Sequence, residues 1–181
     1  AAFAAIVLVY PMLRGAGLVP TQEIVSIAAG YSAERASSLE FRLENEDILL
    51  EKANERPLFG WGAWARNRVY NEVGQDISTT DGYWVMSIGT SGWIGYLAEF
   101  GLLTLPIIFL GLRWRKLALT PATAGLALAL TANLLDLIPN ATLTPVTWLL
   151  AGALAGRLEL GRRFSHRLPA SARRVARIAS W

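Results

Sequence analysis

Long apolar stretches and one extended polar segment alternate along this chain. Residues 1–13 form an apolar run, residues 14–82 are mostly polar, and further apolar segments occupy 83–112, 117–138 and 142–156. Because a helix needs about 20 apolar residues to cross a bilayer, the segments 83–112 and 117–138 are long enough, and 142–156 is short. The run at 1–13 is too short to cross, and we interpret it as the tail of a truncated transmembrane helix. The pattern predicts an all-α, polytopic membrane protein.

The composition supports a membrane protein and argues against several kinds of soluble protein and site. Hydrophobic residues make up 53% of the 181 residues and charged residues 17%, whereas soluble domains usually contain about 25% charged residues. The absence of cysteine excludes disulfides and thiolate metal sites. The sequence contains no phosphate-binding loop, dinucleotide fingerprint or zinc-ligand spacing, so we expect no cofactor and no metal.

The distribution of charge predicts the orientation in the membrane. The loop 113–116 and the tail 157–181 together contain ten Lys or Arg and one acid, whereas residues 14–81 contain eleven acids and seven bases. Positive residues remain in the cytoplasm. We therefore expect a cytoplasmic loop at 113–116, a basic cytoplasmic tail at 157–181, an external turn at 139–141, and a large extracytoplasmic loop at 14–82. The basic tail is suited to an anionic membrane surface or to disorder, and we expect no nucleic-acid partner.

The polar segment 14–82 is where chemistry is expected, and its longest predicted element is a charged helix. Ser37 and Glu40 match a capping box, and the helix must end before Pro57. Arg42, Glu46, Leu49 and Ala53 share one face of this helix by their spacing. Arg42 is therefore either a functional cation or the partner of Glu46 in a solvated ion pair, which is worth a few tenths of a kcal/mol.

Three stretches resemble the O-antigen ligase and polysaccharide polymerase family. The sequence SSLEFRLENEDILLEKANERPLFGWG is similar to the segment in which an arginine begins a helix and the motif P-x-x-G-x-G ends it. The sequence TDGYWVMSIGTSGWIG is similar to the segment in which a His-Asn pair precedes G-x-x-G, here Gly92 and Gly95. The sequence DLIPNATLTPVTWLLAGALAG is similar to the final hairpin. Asp81 stands where the family usually has histidine.

This resemblance implies the C-terminal part of a larger helical transmembrane glycosyltransferase, so this part alone is expected to be inactive. Such enzymes lie in the bacterial inner membrane and act on its extracytoplasmic face without a metal. They transfer a glycan from undecaprenyl diphosphate to an acceptor hydroxyl, and polysaccharide assembly proteins are further expected partners. The position that matches the family's loop arginine is Arg42. The aspartate in place of histidine favours a polymerase of exopolysaccharide over a ligase.

The chemistry of this reaction suggests further candidates. Arginine binds phosphate oxygens bidentately and stays ionised, so Arg42 is the first candidate for the leaving diphosphate, with Arg66 and Arg68 as substrate-binding residues. Glu99 is a candidate because an acid inside a span is costly unless it is paired or functional.

Asp81 has two interpretations. The residue is either the N-cap of the helix that follows, or the group that deprotonates or orients the acceptor hydroxyl, because the only histidine, His166, lies in the predicted cytoplasmic tail. For the chain as a whole, the alternative to an enzyme is a non-catalytic membrane component of polysaccharide export or assembly.

Overall fold

The computed structural model describes residues 1–117 and 119–167, with the side chains of 116 and 162–167 left out of the description. These residues form helices joined by turns, and the described part of the chain contains no β-strand beyond an isolated antiparallel bridge between Tyr70 and Asp76. The all-α prediction is confirmed. The helices are α1 (Ala2–Gly15), α2 (Thr21–Tyr31), α3 (Ala33–Asn54), α4 (Tyr83–Leu112), α5 (Trp114–Leu117), α6 (Pro121–Asp136) and α7 (Pro145–Arg167).

One described helix, α4, is long and apolar enough by length and composition to span a membrane. The helix α1 is a shorter apolar helix of 14 residues. The helices α6 and α7 lie at the predicted segments 117–138 and 142–156, but neither is among the helices that meet the requirement for a span. The helix α7 also continues past Gly156 to Arg167. Membrane association through α4 therefore has weak support, and the multi-pass arrangement stays a prediction.

The chain divides into two compact units. One unit contains Ala1–Ile6 and the described residues of Leu102–Leu135 and from Thr144 onward. Within it, Thr147 donates a hydrogen bond to the Asn133 side chain, and Arg157 donates to the carbonyl oxygen of Leu117 at 2.8 Å. The other unit contains Val7–Gly101 and Asp136–Leu143, and holds every residue that was predicted to form a site.

The start of α3 differs from the prediction. The N-cap is Ser32, whose hydroxyl accepts a hydrogen bond from the Arg35 amide at 3.4 Å, and Ser37 lies inside the helix. The capping-box prediction is wrong because the backbone leaves the helical conformation at Ser32, where α2 ends, and a cap requires such a break. The other end follows the prediction, since α3 stops at Asn54, before Pro57.

A proline in α1 creates a polar attachment for α4. Pro11 has no amide hydrogen, so the carbonyl oxygen of Val7, four residues earlier, loses its helical partner. The hydroxyl of Tyr96, whose side chain is buried, donates to this oxygen at 3.0 Å. The proline thus leaves an acceptor that fixes α1 against α4.

The helix α4 is broken at Gly92, which has φ 70° and ψ −178°. This backbone region is open essentially to glycine alone. We call residues 83–91 and 93–112 the first and second halves of α4. In a straight helix, residues 83 and 99 would be about 24 Å apart, yet the hydroxyl of Tyr83 lies 2.7 Å from the carboxylate of Glu99. The chain therefore turns back at Gly92, and the first half lies beside the second.

The segment 57–62 satisfies the backbone groups that this break leaves unpaired. In a continuous helix, the amides of Trp93 and Ile94 would donate to the carbonyl oxygens of Gly89 and Thr90. Here these two amides donate to Pro57 and Leu58 at 2.7 and 3.4 Å, and the two freed oxygens accept from the amides of residues 61 and 62, each at 2.8 Å. Four hydrogen bonds to the loop replace two within the helix. We call residues 57–62 the docking loop.

The docking loop fits only because its contact points are glycines. A Cβ atom on Gly60 would lie 2.6 Å from the backbone of Gly92 and of Thr90, and one on Gly92 would lie 2.2 Å from the carbonyl oxygen of Leu58. Both glycines also have positive φ. The P-x-x-G-x-G and G-x-x-G motifs are therefore two sides of one contact.

Candidate functional site

Arg42 and Asp81, the two residues predicted to be catalytic, meet in the structure. Arg42 Nε lies 3.5 Å from Asp81 Oδ2, and the side chains are 43% and 32% exposed, respectively. The shortest contact is made by Nε, so the two terminal nitrogens of the guanidinium are not the atoms nearest to the carboxylate. The pair thus presents a cation and a carboxylate together at a surface that a substrate can reach.

Asn45 positions Asp81 beside Arg42. The side chain of Asn45 is buried on α3, one turn from Arg42, and its Oδ1 accepts a hydrogen bond from the Thr79 amide at 2.7 Å. Its Nδ2 donates to the carbonyl oxygen of Phe41 at 2.8 Å, which fixes the orientation of the amide group. The segment that leads into α4 is thereby attached to α3 two residues before Asp81.

The geometry does not support the capping role for Asp81. The first residue of α4 is Tyr83, whose amide donates to the carbonyl oxygens of Leu137 and Asn140, both at 3.1 Å. Within the described residues, the polar contact of the Asp81 carboxylate is the ion pair with Arg42. A cap would turn this carboxylate toward the amides of the first helical turn. Asp81 instead faces Arg42, and a role in proton transfer stays a prediction.

Glu46 is not the partner of Arg42. Its carboxylate is buried, and accepts hydrogen bonds from Trp84 Nε1 at 3.2 Å and from the Tyr10 hydroxyl at 3.3 Å. Arg14 lies 3.7 Å from the same carboxylate and 2.9 Å from Asp47. Burial raises the pKa of Glu46 above its usual 4.5, although the hydrogen bond from Trp84 and the charge of Arg14 lower it. Glu46 therefore holds α1, α3 and the first half of α4 together beneath the surface pair.

Sequence reasoning missed the structural role of Glu46, Arg14 and Asn45. One signal for Glu46 was available, because its spacing places it on the same face as Leu49 and Ala53, both of which are buried. An acid on an apolar face needs a buried partner. The partners of Glu46 are Trp84, in the first half of α4, and Tyr10 and Arg14, in α1. The sequence pattern treated α1 only as an incomplete span.

Glu99 is satisfied by hydroxyl groups from the first half of α4. Its two oxygens accept hydrogen bonds from the Tyr83 hydroxyl and from Ser87 Oγ, both at 2.7 Å. These bonds join the two halves of α4 across the break at Gly92. Glu99 is thus placed as a structural link within α4, and substrate binding by this residue stays a prediction.

Arg66 and Arg68 lie apart from Arg42. They line a cleft against the C-terminal part of α3, together with Ile48, Glu51, Lys52 and Glu55. At about 1.5 Å per residue, Lys52 is roughly 15 Å along the helix axis from Arg42. Arg68 also forms an ion pair with Asp76, and this contact holds the pKa of Asp76 at about 2. The structure therefore does not bring these two arginines to the surface pair.

Among the side chains that the structure describes, no three from His, Cys, Asp or Glu are grouped so that they could hold a metal ion. His166 falls among the residues whose side chains are not described. In the described residues, the chemistry that the surface pair offers is that of a guanidinium, which binds anions, beside a carboxylate, which accepts protons.

Comparison with known proteins adds no relative. No protein-family model matches the chain, and no match was found among curated proteins or solved structures. The family resemblance of the three motifs therefore rests on the sequence alone.

Proposed function

We propose that the protein is the catalytic C-terminal part of a bacterial inner-membrane glycosyltransferase that acts on an undecaprenyl-diphosphate-linked glycan. The reaction is polymerisation or transfer of that glycan on the extracytoplasmic face, in the biosynthesis of a surface polysaccharide. The observation that supports it best is the accessible pair formed by Arg42 and Asp81, because the reaction needs one group to bind an anion and another to accept a proton.

In this proposal the acceptor hydroxyl oxygen forms a bond to the anomeric carbon of the donor glycan. The bond from that carbon to the diphosphate oxygen breaks, and the electron pair leaves with the diphosphate. The proton of the hydroxyl passes to the Asp81 carboxylate. The terminal nitrogens of Arg42 donate to the leaving diphosphate while its Nε remains near Asp81.

Arg42→Lys in the full-length protein tests the anion-binding role. Lysine keeps the charge but loses the planar fork, so we expect glycan transfer to fall by about a hundredfold, as when one preorganised donor is removed from an enzyme site. The assay measures the yield and length of polysaccharide made from purified lipid-linked donor. Arg35→Lys, at an exposed position of the same helix, is the matched control. Normal product with Arg42→Lys, at normal protein level, would favour the non-catalytic export or assembly component.

Asp81→Asn tests the proton-accepting role. Asparagine has nearly the same size as aspartate, but its amide does not accept the proton of the hydroxyl. We expect transfer to be lost with the protein still inserted in the membrane, and expect Asp81→Glu to retain part of the activity. Full activity of Asp81→Asn would assign Asp81 a structural role only.

The proposed side of the membrane is testable by thiol labelling, because the chain has no cysteine of its own. Val73, in the exposed turn 71–75, and Arg115, in the predicted cytoplasmic loop, are both solvent-exposed. We expect an impermeant thiol reagent to label Val73→Cys in intact spheroplasts, and Arg115→Cys only after lysis. Labelling of Val73→Cys only after lysis would overturn both the topology and the proposed activity.

A further inference from the structure

The docking loop and the residues after it carry an exposed apolar surface. Leu58, Phe59 and Trp64 are 60%, 73% and 91% exposed, respectively. We call these three side chains the apolar loop surface. Other large side chains of segment 14–82 are exposed too, but these three lie within seven residues of each other, at the loop that is attached to α4. An exposed apolar cluster of this kind calls for a partner.

The backbone fixes where this surface lies. The amides of Trp93 and Ile94 donate to the carbonyl oxygens of Pro57 and Leu58, so the loop is attached to the first residues of the second half of α4. This second half contains the apolar sequence that runs on to Leu112, in the helix that is able to span a membrane. Wherever residue 93 lies in a bilayer, Leu58 and Phe59 must therefore lie at a similar depth.

The apolar loop surface is continued by the helix to which it is attached. Ile94 and Leu97 are 50% and 43% exposed near the start of the second half of α4. Arginines flank the loop on both sides, with Arg56 stacked on Trp61 at 4.2 Å and Arg66 exposed to solvent. Aromatic side chains beside cations are the usual composition of a segment at the level of the lipid headgroups.

The geometry points to a lipid surface as the occupant: we propose that Leu58, Phe59 and Trp64 insert into the headgroup region of the bilayer on the side where the second half of α4 begins. The loop thereby fixes the depth of the break at Gly92. The first half of α4 then lies beside residues 93–99, and the membrane is crossed by residues 93–112 alone. This inference does not depend on the proposed transfer reaction.

Spin labelling tests the proposal without an activity assay. Nitroxide labels are attached to Phe59→Cys or Trp64→Cys in the full-length protein, reconstituted in vesicles of phosphatidylethanolamine and phosphatidylglycerol. Oxygen concentrates in the acyl region and a water-soluble nickel chelate stays outside it. The matched control is Val73→Cys, because Val73 is 77% exposed and lies in a polar turn.

We expect the ratio of oxygen to nickel collisions to be several-fold higher at positions 59 and 64 than at 73. Leu58→Cys provides a second probe of the docking loop if Phe59→Cys fails to accumulate. Equal ratios at all positions would show that the loop faces water and would overturn the proposal. Low collision rates with both reagents at 59 and 64 would also overturn it, since they would show a protein partner covering this surface.

Discussion

Gly92→Ala should disrupt the contact between the docking loop and α4. Alanine in place of Gly92 would have to adopt φ 70° and ψ −178°, a conformation that costs a residue with a side chain about 1–3 kcal/mol. Its Cβ would also lie 2.2 Å from the carbonyl oxygen of Leu58, and that contact is with backbone, which cannot rotate away. Either the loop moves or the helix straightens.

The cost of straightening follows from the hydrogen bonds. Four bonds between the loop and the helix would be lost, and two helical bonds would form again. At about 1 kcal/mol for each bond, the net loss is about 2 kcal/mol. The two bonds from Tyr83 and Ser87 to Glu99 would be lost as well, so we expect Gly92→Ala to destabilise the protein by about 2–4 kcal/mol.

Gly74→Ala separates backbone strain from the steric clash. Gly74 has φ 80°, but a Cβ atom there would meet nothing within 4 Å. Alanine at this position should cost about 1 kcal/mol, from the left-handed conformation alone. The difference between the two variants therefore reports the contact with Leu58 together with any greater backbone strain at Gly92.

Two measurements check this reasoning in the purified protein in detergent or lipid. The first is thermal or denaturant unfolding of both glycine variants. The second is the magnetic interaction between spin labels at Met86 and Ala98, which a straight helix would place about 18 Å apart along its axis. Ser87 and Glu99, with the same separation in sequence, are in contact across the break. Gly92→Ala should weaken the interaction between the labels. The same stability for both variants, with an unchanged label interaction, would refute the idea that Gly92 determines the break.

Further predictions concern charge and capping. The raised pKa of Glu46 means that the folded state binds its proton more tightly than the unfolded state, so the free energy of unfolding should fall as pH rises from 4.5 through the raised value. Glu46→Gln should remove this slope in unfolding curves measured across that range. The lowered pKa of Asp76 has the opposite sign, and its stabilising contribution, present above pH 3.8, should disappear as pH falls toward 2. An NMR titration of the Asp76 carboxyl carbon should show this low pKa, and Arg68→Gln should raise it. Ser32→Ala should cost about 1 kcal/mol in unfolding experiments through loss of the α3 cap, whereas Ser37→Ala should have little effect.

The sequence predicted where α3 ends and how far α4 extends, but it did not predict which side chains pair between helices. The end of α3 before Pro57 and the extent of α4 followed from proline chemistry and apolar length. The partner of Arg42 did not follow from the sequence. Helical spacing offers Glu46 as its partner in a solvated ion pair. Glu46 is occupied by Trp84, Tyr10 and Arg14, which come from distant parts of the chain. Asp81 then takes the position beside Arg42.

The pattern of hydrophobic residues also does not predict the break in α4. Gly92 lies in a run of apolar and small residues that is compatible with a continuous helix, and the motif resemblance placed it only at the start of a span. What decides its conformation is the approach of the loop backbone from a segment some thirty residues earlier. Hydropathy reports which residues avoid water, and does not report where the chain reverses.

The reciprocal hydrogen bonding between residues 57–62 and 89–94 restricts how the gene encoding this protein can vary. Deletion or insertion of one codon inside either segment would shift every donor past its acceptor, so that the damage could be repaired only by a matching change in the other segment. Codons of the exposed turn 71–75, between the two segments, are under no such restriction. Distant homologues should therefore keep the internal spacing of both glycine motifs while the length between them drifts.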